Sequence, residues 1–315
     1  MESVQNLKKR LKSVANIEKI TKAMEVVAAT KMRKAQEVAL ASRPYAFSAL
    51  DLLKNLSLLE KEDKKQSLEF LVQREVKAVL FVLVSSDKGL AGAFNSSVFK
   101  KFEVHMKRDE EKYKNEEKLY IAVGEKSATY LQKKRVPIFK KFAKFGDYIE
   151  VNQIWSLSDL IIQGYLDKKW DRVVVVSTHF RSVLKQEPHV RRILPVDYDH
   201  VKDIIKELVP ETGKFSDIAK DNIESNGKRT LEYLMEPSPE FVLDNLYRHL
   251  LFIQIYHLIL EANAAEHSAR RIAMKTASDN AKDLGEKLNL EYNKSRQAQI
   301  TKEIIEITSA AESLN

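Results

Sequence analysis

The chain contains no cysteine. Disulfides, cysteine-based zinc sites, thiol catalysis and thiol redox switching are excluded together. Glycine and proline are also scarce, with 8 and 7 residues in 315. Glycine in an average chain is nearer 7%. Glycine-rich cofactor folds are disfavoured, and long uninterrupted helices are favoured. The breakers that exist are segregated: apart from Gly285, every glycine and proline lies between Pro44 and Pro239. No apolar run near the start has the form of a signal peptide, and Glu2, Glu18 and Glu25 argue against a transit peptide. The chain is expected to begin here, in a bacterial type of cytoplasm or an equivalent compartment.

What remains is ordinary globular material, 44% hydrophobic and 31% charged. The net charge is +8. Residues 1–43 carry ten Lys/Arg against four Glu, whereas residues 266–315 carry eight of each sign. That basic end suits phosphate or an acidic protein surface. It equally suits a solvated helix face, and aromatic platforms for bases are missing from it.

Three textures divide the chain. Residues 1–58 read as an N-terminal coiled-coil helix, with an apolar seam expected through Leu7, Leu11, Val14, Ile17, Ile20, Met24 and Val27. A second register runs through Ala28, Met32, Ala35 and Ala39, and Pro44 is expected to break or kink the ladder. Residues 240–315 read as a C-terminal coiled-coil helix, started by Ser238 as N-cap and Pro239 at the first helical position. Its seam is expected at Ala269, Ala273, Ala277, Ala281, Leu284 and Leu288. Phe241–Leu260 has the length of a membrane span, but Asp244, Arg248, His249 and His257 interrupt it. It reads as a buried helix.

Residues 70–200 form the third texture. Val76–Val84, Leu119–Val123 and Val173–Ser177 are apolar on consecutive positions, as in strands buried on both faces of a parallel sheet. Helical stretches at Ser96–Arg108, Lys126–Lys134 and Ser158–Asp167 alternate with them, giving a small Rossmann-like α/β domain. Residues 201–239 read as a variable insertion and connector. The simplest assembly is a long antiparallel coiled coil of the two terminal helices with the α/β domain inserted. Such a stalk exposes apolar turns, which implies a partner.

Catalytic motifs are missing. There is no GxxxxGK[ST] phosphate loop, no HExxH and no GxSxG. Ser85–Asn95 (SSDKGLAGAFN) follows a strand but lacks the third glycine of a dinucleotide fingerprint. It reads as a tight strand-to-helix turn or a partner-contact loop. His249 and His257 share one helical face without further metal ligands and read as filler in an apolar helix.

Three segments carry a family resemblance. Residues 16–45 (NIEKITKAMEVVAATKMRKAQEVALASRPY) closely resemble the N-terminal helix of ATP synthase γ subunits. Residues 84–95 (VSSDKGLAGAFN) resemble that family's loop after its first strand. Residues 266–308 resemble its C-terminal helix, including the signature around AMK–ASDNA. The cysteine pair of the chloroplast type is absent near 197–230, so a thiol switch is not implied.

The resemblance implies a non-catalytic rotor shaft that couples proton flow to ATP synthesis or hydrolysis and needs no cofactor or metal. The implied partners are α and β subunits of a catalytic ring, an ε subunit and a membrane c-ring. Neither nucleic acid nor direct membrane insertion is expected. The implied location is peripheral, on the cytoplasmic face of a bacterial inner membrane. Carried over residue by residue, contacts to β fall on Met24, Arg270, Arg296, Gln297, Thr301 and Glu303. Tyr233 and Glu236 are assigned to the foot facing the c-ring. Two rivals stand beside this reading. One is a basic coiled-coil protein that binds nucleic acid or acts like a chaperone. The other is a nucleotide-handling enzyme using the Gly89–Gly92 turn.

Overall fold

A computed structural model describes residues 3–41, 70, 74–112, 115–143, 145, 149, 151–195 and 236–312. The chain divides into two compact units, Met1–Thr30 with Arg270–Asn315, and Lys31–Ala269.

The larger unit is built on a five-stranded sheet. Its strands are β1 (Ala78–Val84), β2 (Glu117–Val123), β3 (Lys140–Phe142), β4 (Arg172–Phe180) and β5 (Gln186–Leu194). Their spatial order is β3-β2-β1-β4-β5. β1 pairs in parallel with both β2 and β4, and β2 pairs in parallel with β3. β5 closes the sheet antiparallel to β4. The connecting helices are α2 (Phe94–Lys112), α3 (Glu125–Lys133) and α4 (Val151–Leu166).

Burial explains the central strand. All seven residues of β1 are buried. Because side chains alternate across a strand, Leu80, Val82 and Val84 enter one core and Val79, Phe81 and Leu83 the other. The second core is completed by Val98 and Phe102 of α2 and Ala128 and Leu131 of α3. The first is completed by Ile154, Leu157 and Ile161 of α4 and by Leu251, Ile255 and Leu258 of the C-terminal helix. An α/β layer sandwich results, as the apolar runs predict. The sequence reading missed β3 and β5. β3 is three residues long, and β5 is a half-buried outer strand whose polar composition (QEPHVRRIL) lacks an apolar run.

The terminal helices are α1 (Val4–Ala41) and α5 (Pro239–Glu312). The start of α5 is capped as expected: Phe241 N–H donates to Ser238 Oγ at 3.3 Å and Val242 N–H to Ser238 O at 3.1 Å. Residues 42–58 and 201–235, assigned above to the first helix and the insertion, lie outside the described residues.

Candidate partner-binding surface

In the smaller unit α1 and α5 run antiparallel. A Cβ added at Gly285 would lie 3.8 Å from Val14. Further along, Lys22 feels Asp279: a hydrogen bond with Glu25 chiefly raises its pKa, Glu25's charge adds to that, and Asp279 contributes. As numbers rise on α1 they fall on α5.

The seam agrees with the expected one at Leu7, Leu11, Val14, Ala28, Met32, Ala35, Ala281 and Leu288 and differs from it elsewhere. Along α1 the residues withdrawn from solvent include a row through Leu7, Leu11, Val14, Glu18, Thr21, Glu25, Ala28, Met32 and Ala35, with Ala15, Met24 and Ala29 half-buried beside it. The spacing of the row alternates four and three, a regular heptad. Ile17, Ile20 and Val27, placed on the seam by their hydrophobicity, are exposed instead, Ile20 to 59%. On α5 the inner positions are Met274, Ser278, Ala281, Gly285 and Leu288. Ala273 and Ala277 are half-buried flanks, and Leu284 is exposed. A strict four-residue ladder drifts around a helix, whereas the four-three alternation stays on one face.

Where the heptad carries Glu18, Thr21 and Glu25, the apolar side chains stand outside. At 100° per residue, Ile17, Ile20, Met24 and Val27 fall within an arc of about 80°. Met24 is half-buried at the edge of this stripe.

Near its end α5 repeats the theme. Ile300, Ile304, Ile305 and Ile307 are all exposed, Ile307 to 69%. Arg296, Gln297, Thr301 and Glu303 are exposed among them. Helical geometry sets Arg296, Ile300, Glu303 and Ile307 on one face and Gln297, Thr301 and Ile304 on the next. Thr301 Oγ1 donates to Gln297 O at 3.0 Å, and Gln299 Nε2 donates to Glu303 Oε1 at 2.9 Å. Arg296 and Gln297 thus present donors to solvent from an apolar background. Arg270 differs, being buried. Glu236 is exposed just ahead of the Ser238 cap, and Tyr233 lies outside the described residues.

The turn after β1 is tied to the start of α3. The N-terminal amides of α3 are taken by this turn itself: Glu125 N–H by Asp87 Oδ1 at 3.0 Å, Lys126 N–H by Ser86 O at 3.1 Å and Ser127 N–H by Ser85 Oγ at 2.6 Å. A carboxylate from the chain thus occupies the position that would attract an anion. Gly124 has φ 96°, and a Cβ there would stand 2.3 Å from Ser85 O, so this close approach requires glycine. Asn95 ties the other side, with Nδ2 donating to Ser86 Oγ at 2.8 Å.

The sequence reading missed a buried charged cluster in the larger unit. Glu261 of α5 is 6% exposed. His179 Nδ1 of β4 lies 2.8 Å from Glu261 Oε2, and Arg191 Nη1 of β5 lies 3.8 Å from the same oxygen. His257 Nε2, one turn earlier on α5, is 3.1 Å from Oε1. Burial by itself pushes the Glu261 carboxyl up. The charge of His257 and the hydrogen bond with His179 outweigh it and hold the group well below the usual carboxylate range. His257, read above as filler, is one of its partners.

Among the described residues no helix is long and apolar enough to cross a membrane. Residues 3–314 match the family model described as ATP synthase. The ATP synthase gamma chain of Roseiflexus castenholzii is 36% identical over 314 residues, covering 100% of this chain and 99% of that one. The ATP synthase gamma chain of Opitutus terrae is 37% identical over 310 residues, covering 98% of each. Among solved structures, a chain of the Tetrahymena thermophila mitochondrial ATP synthase central stalk and c-ring has a similar fold. Its TM-score is 0.56 at 21% identity, over 82% of this chain and 99% of that chain.

Proposed function

This chain belongs to the ATP synthase gamma-chain family, and we propose that it is the rotating central shaft coupling proton flow through a membrane sector to ATP synthesis and hydrolysis at catalytic β subunits. The observation that carries this reading is the outward placement of Ile17, Ile20 and Val27 on α1 and of Ile300, Ile304, Ile305 and Ile307 on α5. Apolar stripes of this kind call for a covering partner. A hexameric ring of α and β subunits around the terminal helices supplies one. An ε subunit and a c-ring are the partners of the α/β domain. The chain is then a peripheral, non-catalytic subunit on the cytoplasmic face of a bacterial inner membrane.

The mechanism follows from symmetry. One asymmetric shaft inside a three-fold ring presents a different face to each β subunit. Each β therefore occupies a different conformation, and turning the shaft exchanges them through differential contact energy. Apolar side chains have no directional bonds to break and suit a bearing. Arg296 and Gln297, with Thr301 and Glu303 beside them, are the gripping residues. A guanidinium fork fits a carboxylate, and Gln adds a neutral donor and acceptor. Met24 marks the stripe on α1, and Met24 and Arg270 are assigned to contacts with β lower on the shaft. Glu236 and Tyr233 are assigned to the foot facing the c-ring.

The test is co-purification of this chain with the α and β subunits of its own source. The expected result is one copy per ring and an ATPase whose turnover depends on the chain. Recovery with nucleic acid, salt-sensitive and without ATPase, would favour the nucleic-acid binder instead.

A further inference from the structure

Torque passing between the α/β domain and α5 must cross the contacts that join sheet to helix. Most of these are apolar: Val173 and Val175 of β4 share a core with Leu251, Ile255, Leu258 and Ile259 of α5. Apolar contacts resist separation but have no preferred direction of sliding. Among the described residues, directional contacts to α5 are found on the β4–β5 hairpin. Glu261 shares a hydrogen bond with His179 at 2.8 Å, and Arg191 adds an ion pair at 3.8 Å. Ser268 Oγ donates to Val183 O at 2.8 Å and accepts from Gln186 Nε2 at 3.3 Å. Glu261 and Ser268 are seven residues apart, so they lie on one face of α5, separated by about 10 Å. Ala265 between them is fully buried and packs with Phe94 and Ala91. The small side chain brings helix and sheet close enough for both contacts.

The sheet side agrees. His179 falls on the face of β4 that carries Val173 and Val175, because alternate residues share a face. Arg191 is the register partner of Val175, so it reaches the same carboxylate from the neighbouring strand. Two strands and the helix therefore meet on one buried anion. His189 and Glu187 stand just outside, the His179 and His189 rings 5.6 Å apart and His189 Nε2 3.6 Å from Glu187.

We propose that Glu261, supported by Ser268, is a positioning residue for rotary coupling: a buried key that stops the β4–β5 hairpin from shearing along α5 when torque is applied. This rests on the rotor reading above. A key of this kind matters in proportion to load. With no opposing gradient the apolar contacts suffice, and under a steep gradient a loosened joint yields before the gradient is overcome.

The experiment uses the whole complex in sealed vesicles, with this chain as parent, Glu261→Gln or Ser268→Ala. Gln keeps the size of Glu and removes its charge. Ser268→Ala removes one hydroxyl and leaves Glu261 in place. Proton uptake per ATP hydrolysed is followed from zero gradient upward, alongside assembly yield and the melting of the assembled complex. The expected result is a ratio equal to parent without a gradient that falls progressively as the gradient builds, more steeply for Glu261→Gln. Variants matching the parent at every gradient overturn the proposal. A load-independent loss that tracks assembly yield also overturns it, because Glu261 is then a folding residue only. Failure of both variants to assemble has the same meaning. If the parent complex itself hydrolyses ATP without proton uptake, the rotor reading fails first, whatever the variants do.

Discussion

Two glycines in helices, replaced by the same residue, are expected to move stability in opposite directions. Gly285 lies in α5 on the seam with α1. A Cβ there meets only Val14 Cγ1 at 3.8 Å, an ordinary van der Waals separation. Gly285→Ala therefore gains the helix-propensity difference of about 1 kcal/mol. The added methyl also fills space against Val14 and contributes a few tenths more through dispersion. Gly164 lies in α4, where a Cβ would fall 2.0 Å from Trp170 Cζ2. Trp170 is fully buried, and its Nε1 donates to Ile161 O at 3.1 Å. The indole cannot retreat without losing that bond, so overpacking of about 1–3 kcal/mol exceeds the propensity gain. Gly164→Ala is expected to be destabilising on balance. Hydrogen exchange measured by peptide separates the two effects. Gly285→Ala should slow exchange near residues 10–18 and 281–289 only. Gly164→Ala should speed exchange in α4 and β4. Faster exchange at the seam in Gly285→Ala would mean that α1 and α5 approach more closely than 3.8 Å allows, and the heptad assignment would fail.

Further consequences are equally direct. Purified chain is expected to show no stoichiometric micromolar ATP site, because Asp87 and the Ser85–Ser86 turn already take the amides of α3; calorimetry with Mg-ATP checks this. Glu261 has a depressed native pKa, so its stabilisation is complete above the unfolded carboxyl value of about 4.3 and is lost as pH falls below it. Glu261→Gln should flatten that acid limb, measured by Trp fluorescence against pH, whereas an unchanged limb would place the titration elsewhere. Arg296→Ala with Gln297→Ala should leave assembly intact, since exposed substitutions cost little. It should slow turnover of the complex, because a bond to a charged group is worth about 1.5–3 kcal/mol. Normal rates of hydrolysis and synthesis would remove both residues from the mechanism.

How far such details could be read in advance depended on which residues carried the pattern. β1, β2 and β4 were legible because strands buried on both faces need consecutive apolar residues. β5 was not, since its first seven residues are mostly polar and half-solvated. In the terminal helices hydrophobicity pointed the wrong way at four positions, Ile17, Ile20, Val27 and Leu284. Ile17, Ile20 and Val27 look like a seam but serve an outside surface, and Glu18, Thr21 and Glu25 occupy the inner positions. The phase was legible at Leu7, Leu11, Val14, Ala28 and Met32 and was lost between them, because hydrophobicity does not tell an apolar side chain facing solvent from one facing its own partner helix. Ser238 and Pro239 acted as read, being local signals. The Glu261 cluster had only one local element, the i,i+4 spacing of His257 and Glu261. His179 and Glu261 are 82 residues apart, and only the docking of β4 on α5 brings them together. Arg296 and Gln297 were singled out by family resemblance, since nothing in an exposed polar pair marks it as functional.

The central claim is that this chain turns. The most direct measurement immobilises the α/β ring of a complex reconstituted without the membrane sector on glass and places a probe on this chain at the exposed position Glu236→Cys, in the otherwise cysteine-free sequence. With ATP supplied, the account predicts unidirectional rotation of the probe in three equal steps per revolution, one for each β subunit. Steady ATP hydrolysis with a stationary or randomly fluctuating probe would contradict it.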